Sequence, residues 1–313
     1  MPLPIRAADS HADDREPLAG IEERKSPPGS GRFSERDSSA RAGTPAPTGV
    51  FAEKEKNSQF KGVCSMVLRL GKLPSKEISF KFRDYAAALP APPTRAGHQE
   101  LSDSNMFAND RLSDCVCAGA AHETLLWNRE GGRRVEVTDE QVISMYSDIT
   151  GYNPKDPSTD QGTVMADAAS WRRKKGLEDG TGKRHKIAAY TSISPSNQME
   201  HMQSIWLFSA IGIGFEIPRS AMVQFEKEEP WEVVQGASSE TLGGHYFTAV
   251  GYDARYLYVI TWGRIQKMSW SFLQKYNDES FAYLSKEFLD KKEKSPEGFD
   301  LDSLKLDLSR LKN

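Results

Sequence analysis

N-D-R-L-S-D-C-V-C-A-G-A-A-H, running from Asn109 to His122, reads as the start of a helix with a thiol at its first position. Asp114 is a good N-cap, and the run Cys-Val-Cys-Ala-Gly-Ala-Ala-His-Glu-Thr-Leu-Leu-Trp behind it continues to a stop at Gly131 and Gly132. This predicts Cys115 at the helix N-terminus, where the macrodipole and free backbone N–H groups favour a thiolate. A thiol there needs a base before it can attack a carbonyl carbon.

A second stretch supplies one. G-G-H-Y-F-T-A-V-G-Y-D, starting at Gly243, puts His245 after two glycines and at the opening of an apolar, β-branched and aromatic run that reads as a strand. Tyr256 to Trp262 reads as the next strand. A helix-borne Cys followed about 130 residues later by a strand-borne His is the order used by papain-like enzymes.

The chain from about Met66 to Leu311 resembles a papain-like cysteine peptidase. The likeness is to a divergent form, found in bacterial and phage proteins, that carries G/S-D-C, G-G-H and T-W-G motifs. The resemblance implies an α+β, two-lobed fold: a helical lobe containing the Cys helix, then an antiparallel β lobe. It also implies a peptide or protein substrate and no cofactor. Papains carry an oxyanion-hole Gln six residues before the nucleophile, and that offset lands here on Asn109, a shorter amide able to donate. Tyr246 to Tyr252 is similar to the A-V-x-x-V-G-Y run that follows the papain His. The Asn that orients the His in papains belongs to N-S-W-G, and this chain has Ile260, Thr261, Trp262 and Gly263 instead. Thr261 is therefore the candidate orienter, with a hydroxyl that accepts more weakly than an amide. Three outcomes stay open: modest activity, an orienter from elsewhere, or a fold that has lost its chemistry. Gly243, Gly244 and Trp262 are the candidate binding positions.

Other thiols and imidazoles compete for these roles. At roughly 100° per residue Cys117 points some 200° away from Cys115, so one faces the cleft and the other the core. Cys115, Cys117 and His122 do not make a metal site, because such sites favour C-x₂₋₄-C with a second pair and only Cys64 remains. His122 shares a helix face with Cys115 but stands about 10 Å along the axis, and is expected to be a core histidine. His185 and His201 lack a convergent partner in sequence, and His11 and His98 fall in tails or loops. Gly180-Thr-Gly-Lys-Arg184 lacks the spacing and the hydroxyl of a phosphate loop.

Composition sets the frame. The 313 residues are 38% apolar with a net charge of −3, so global charge implies neither a nucleic-acid partner nor a membrane surface. No apolar run reaches the roughly 18 residues of a membrane span. Three cysteines without a framework spacing, and a charged, Pro-rich start, point to a reducing, cytoplasmic setting. Residues 1–65, rich in Ser, Pro, Gly and charge, are expected to be a disordered tail, with residues 66–313 forming one domain and Met66 an alternative start. An extended arm is expected over Ser79 to Pro93. Helices are expected at Thr138–Tyr146, Val164–Lys174, Asn197–Phe208, Ser271–Tyr276 and Leu301–Leu311, and strands at Lys186–Ile193 and Ile211–Ile217. The leading reading is a thiol hydrolase acting on a peptide or amide bond. A silent peptide-binding module and a transglutaminase-like or cell-wall amidase activity are the alternatives.

Overall fold

The computed structural model describes residues 68–76, 81–83, 91–238 and 240–288. The tail at 1–65 with Cys64, most of the arm at 79–93 and the helix expected at Leu301–Leu311 lie outside the described residues.

Three helices come first: α1 (Cys115–Glu130), α2 (Asp139–Thr150) and α3 (Met165–Lys174). Thr138 caps α2 in a reciprocal box with Gln141, as its sequence promised. A two-residue strand β1 (Ala96–Gly97) precedes the helices, and the small β2 (Leu177–Glu178) to β3 (Arg184–His185) hairpin follows them. The main sheet is built from β4 (Ile187–Ile193), β5 (Ile211–Pro218), β6 (Thr241–Tyr252), β7 (Tyr256–Thr261), β8 (Arg264–Ser269) and β9 (Asn277–Ser285). Helices α4 (Gln198–Phe208), α5 (Arg219–Glu226) and α6 (Trp270–Tyr276) punctuate these strands. Strand order is β4-β9-β5-β6-β7-β8 with β1 on β6, and the strands pair antiparallel throughout. This is the α+β architecture expected, helical region first and antiparallel sheet after.

Helix α1 joins the two regions. Cys115, Val116, Leu126 and Trp127 belong to the large core against the sheet, whereas Cys117, Ala118, Ala120, Ala121 and Leu125 belong to a second core with Val142, Met145 and Tyr146 of α2. The helix is buried from Cys115 through Asn128, which is why its sequence shows small residues on all sides instead of an amphipathic stripe. The two cysteines do face different cores.

Close approach of α1 to β6 depends on missing side chains. A Cβ on Gly119 would lie 2.1 Å from the Tyr246 ring, and one on Gly212 of β5 would lie 2.0 Å from the Tyr246 hydroxyl. The tyrosine hydroxyl passes between them to donate to Glu123, which is fully buried and paired with Arg172 Nη1 at 2.6 Å. Arg172, also buried, lies 4.5 Å from the Tyr283 ring centroid. A buried pair of this kind is costly to break from one side, because the remaining charge has no solvent to return to.

Helix α5, strands β8 and β9 and the two-residue strands β1, β2 and β3 were not read from the sequence. Strand β9 lies between β4 and β5, and its Asn-Asp-Glu-Ser opening conceals an apolar run that begins only at Phe281. His245, expected at the opening of its strand, stands inside β6, because the pairing with β5 extends outward to Thr241 opposite Pro218.

Arg172→Ala should lower unfolding free energy by about 3–5 kcal/mol, measured by urea denaturation at pH 7. A loss below about 1 kcal/mol would mean that Glu123 is neutral and the pair does not hold α1.

Candidate active site

Cys115 opens α1 and is 2% exposed. Asp114 occupies the N-cap position, but its side chain makes no capping hydrogen bond, contrary to expectation. Its carboxylate is buried, and both oxygens lack partners, so desolvation holds its pKa well above the usual range. The loop ahead of the helix is fixed from the side by Asp160, which accepts from the Ser113 N–H at 3.0 Å and from the Tyr146 hydroxyl at 2.7 Å.

His245 is 1% exposed, and its ring is held on two sides. Nε2 lies 2.8 Å from the Thr261 Oγ1, and the ring stacks on Trp262 with centroids 4.0 Å apart and planes 14° from parallel. Trp262 reaches that face from a tight turn: Trp262 and Gly263 have φ of 41° and 75° between the paired residues Thr261 and Arg264. Positive φ at both central residues is the turn form that suits a two-residue hairpin. It costs a bulky residue about 1–3 kcal/mol, which ring stacking and the indole N–H bond to the Arg69 carbonyl at 3.2 Å offset in part. With Nε2–H donating to Thr261, Nδ1 is the nitrogen left to accept a proton, and it has no other partner.

Cysteine and histidine are linked through β6, and no hydrogen bond joins the Cys115 sulfur to His245 Nδ1. The backbone N–H of Tyr246, the residue after His245, acts on the Cys115 sulfur to lower its pKa, and those of Gly71 and Val116 act more weakly in the same sense. Burial outweighs these donors and pushes the thiol up to about 12, with Asp114 adding to the rise. The same burial lowers His245 to about 3. Both groups are neutral, whereas the helix position alone pointed to a thiolate; desolvation is larger than the macrodipole here.

The chain itself supplies that burial. Residues 68–73 cross the cleft as a strap between two glycine-bearing walls. The N–H groups of Gly71 and Lys72 both donate to the Gly244 carbonyl at 3.0 Å. On the other wall Thr163 donates to the Gly71 carbonyl at 2.7 Å and accepts from Leu73 at 2.9 Å, a parallel bridge. Added Cβ atoms would lie 1.9 Å from the Ser113 oxygen at Gly71, 2.2 Å from the Gly71 oxygen at Gly162 and 2.1 Å from the Lys72 oxygen at Gly244. Gly243, with φ of 140°, lies beneath Leu70. The candidate binding glycines therefore contact an extended chain, and that chain is the protein's own. Sequence reasoning missed the strap, although Gly71, Gly162 and the Gly243–Gly244 pair were signals of close backbone approach.

Asn109 is buried in a loop where Phe107 and Ala108 have positive φ. Its Nδ2 donates to the Leu112 carbonyl at 3.1 Å, and its own carbonyl faces the Arg69 N–H at 3.4 Å. The same amide also acts on the buried Asp114 carboxyl and lowers its pKa against the larger effect of burial. The competing residues fall elsewhere. Cys117 is fully buried in the second core with its pKa raised well above the usual thiol range by desolvation. His122 packs on Phe107, and His201 bonds Ser280 at 3.0 Å. His185 does have partners that its sequence did not reveal, Asp179 at 3.0 Å and Glu287 at 2.5 Å.

Known structures share this arrangement of elements. Xylellain, a cysteine protease from Xylella fastidiosa, matches with a TM-score of 0.54 at 15% identity over 70% of this chain and 97% of its own. Procathepsin B S9 from Trypanosoma congolense matches at 0.50, with 10% identity over 69% of this chain and 86% of its own. Neither a protein-family model nor a curated protein matches the chain. At these identities the likeness is one of fold, and the chain has a papain-like cysteine protease fold in divergent form.

Gly71→Val should unseat the strap, since its side chain meets the Ser113 backbone. Site-resolved iodoacetamide labelling of the wild type should show Cys115 rising about tenfold per pH unit through pH 9 without a plateau, as a thiol near 12 requires. The variant should label faster at pH 7 and level off at lower pH. Identical profiles would mean that the strap does not control the thiol.

Proposed function

We propose that the protein is a thiol hydrolase that cleaves a peptide or amide bond by acyl transfer through Cys115, with a peptide or protein as substrate. The observation that carries this reading is the His245 ring, held by Thr261 and Trp262 with Nδ1 unpartnered, one residue from the Tyr246 N–H that contacts the Cys115 sulfur. His122 also leaves a buried Nδ1 without a partner, but it lacks the bond to a hydroxyl and the stacked indole that fix the His245 ring.

In the reaction, Nδ1 accepts the thiol proton as sulfur bonds to the carbonyl carbon. The resulting oxyanion is met by the Cys115 backbone N–H and by the Asn109 amide, which turns toward it from Leu112 and Asp114. Nδ1–H then protonates the leaving amine as the C–N bond breaks, and water, deprotonated by the same nitrogen, releases the acid and the free thiol. Thr261 keeps the proton on Nε2 in the resting state. Substrate enters an extended groove whose walls are the backbone groups now occupied by the strap.

A second reading, a silent module that holds extended peptide, is favoured by the neutral, buried Cys–His pair and by a hydroxyl in place of an amide as orienter.

Both readings are separable with a fluorogenic peptide library and the strap-weakened Gly71→Val protein. Hydrolysis should appear, vanish in Cys115→Ala and fall by a factor of about 10²–10⁴ in His245→Ala. Thr261→Val should lower kcat about tenfold with KM little changed, as expected for loss of one hydrogen bond made to the base. Binding of library peptides without cleavage by any of these folded proteins would establish the silent module.

A further inference from the structure

One side chain of the strap is out of place for a surface segment: that of Lys72 has no exposure. It passes over β5 beside the Cys115 site, where a Cβ on Gly214 would lie 2.6 Å from the Lys72 Cε and 2.9 Å from the Met165 sulfur. At the end of this channel the ammonium pairs with Asp278, with Glu216 and Glu279 also acting on it or acted on by it. Three carboxylates from two strands, β5 and β9, thus converge on one cation.

These groups are not a solvated surface cluster. Glu279 is 5% exposed, and its Oε2 has no hydrogen-bond partner. Its other contacts come from the strap, the Lys72 charge and the Ser75 hydroxyl. Burial holds the Glu279 carboxyl up at about 7 while Lys72 pulls it down, and burial likewise raises Glu216. Asp278, 34% exposed along its side chain, forms the mouth. When the strap leaves, the channel keeps an apolar stem region at Gly214 and Met165 and loses the cation that pairs with Asp278. Buried carboxylates in that state favour a replacement positive charge on a long, thin stem.

We infer that this channel, lined by Gly214 and Met165 and ended by Glu216, Asp278 and Glu279, is a specificity pocket that selects a lysine or arginine side chain of the peptide substrate, adjacent to the residue lying on Cys115. The inference rests on the hydrolase reading for its substrate, although the pocket's preference is measurable without catalysis. In the resting protein Lys72 occupies the pocket as the substrate's basic residue would. Glu279 is the specificity-determining residue, because it is buried and has no partner outside the strap except the incoming cation. Asp278 contributes at the mouth, where solvent screens it more.

The test uses the full chain carrying Gly71→Val to unseat the strap together with Lys72→Ala to empty the pocket, with Lys72→Met as the variant that keeps the stem volume if the alanine protein does not fold. On a Cys115→Ala background, fluorescence anisotropy would compare otherwise identical capped peptides bearing Lys, Arg, norleucine or Glu at one position, scanned along the peptide. At one position Lys and Arg peptides should bind at least about tenfold more tightly than norleucine, the difference expected of one charge-assisted contact, and Glu should bind least. Glu279→Gln should remove most of that preference while leaving norleucine binding unchanged. Equal binding of Lys and norleucine peptides at every position, or no binding of any peptide by the folded protein, would overturn the inference and leave the channel as an anchor for the strap alone. With Cys115 restored, basic-selective binding without cleavage would refute the hydrolase reading and keep the pocket. Cleavage indifferent to basic residues would do the reverse.

Discussion

The approach of helix α1 to strand β6 is the constraint on which the other features depend. Cys115 is on the first element and His245 on the second, so their relative placement is fixed by how closely the two pack. Gly119 and Gly212 leave room for Tyr246 to lie flat in the seam, and its hydroxyl is drawn to the Glu123–Arg172 pair. Thr248 adds a bond from the same strand to the Gly119 carbonyl at 3.1 Å. The sheet face behind His245 is filled by Phe215, Trp231 and Phe247, which limits motion of β6 away from the helix. The ionic group is specific in a way an apolar plug is not, since only one register of β6 brings the Tyr246 hydroxyl to Glu123.

The same seam explains the electrostatics of the pair. A helix start with free N–H groups stabilises a thiolate when it faces water or a cation, and Cys115 faces neither. Its surroundings are the strap backbone, the Tyr246 N–H and the buried Asp114, so three N–H donors compete with nearly complete desolvation and lose. Opening the groove changes the larger contribution. In the proposed hydrolase, activation of the thiol and admission of an extended chain would therefore be one structural event, the removal of residues 68–73 from between Gly162–Thr163 and Gly243–Gly244.

Much of this was legible in the sequence where local chemistry acts alone. The Asp114–Cys115 boundary, the helix starts near Thr138 and Asn197 and the β6–β7 hairpin were readable because helix-start residues, β-branched runs and paired glycines act over a few positions. The angular separation of Cys115 and Cys117 followed from helix geometry. What was hidden depends on long-range pairing. Strand β9 is polar at its start because the Asn277 side chain bonds the Pro195 carbonyl and those of Asp278 and Glu279 meet Lys72, while the backbones of Asn277 and Glu279 pair with β5. The strap carries no periodicity, since its partners are backbone groups far along the chain. The neutral state of Cys115 was invisible for the same reason: burial by residues some forty positions upstream outweighs a helix terminus.

The absent Asn of the papain-like pattern also has a physical reading. An amide at the orienting position offers a strong acceptor and needs little else. Thr261 offers a weaker one, and the ring is instead fixed by area, through Trp262 at 4.0 Å and nearly parallel. That placement requires an indole at the first position of a two-residue turn with positive φ, a conformation for which glycine or asparagine is better suited. The chain tolerates the strain because the indole is held twice more, by Phe225 across the turn at 5.1 Å and by the Arg69 carbonyl on the strap. Removing the strap therefore takes one of these supports from Trp262. Opening the groove would alter the wall behind His245 as well as the space in front of Cys115, which couples the orientation of the imidazole to whatever chain lies in the cleft.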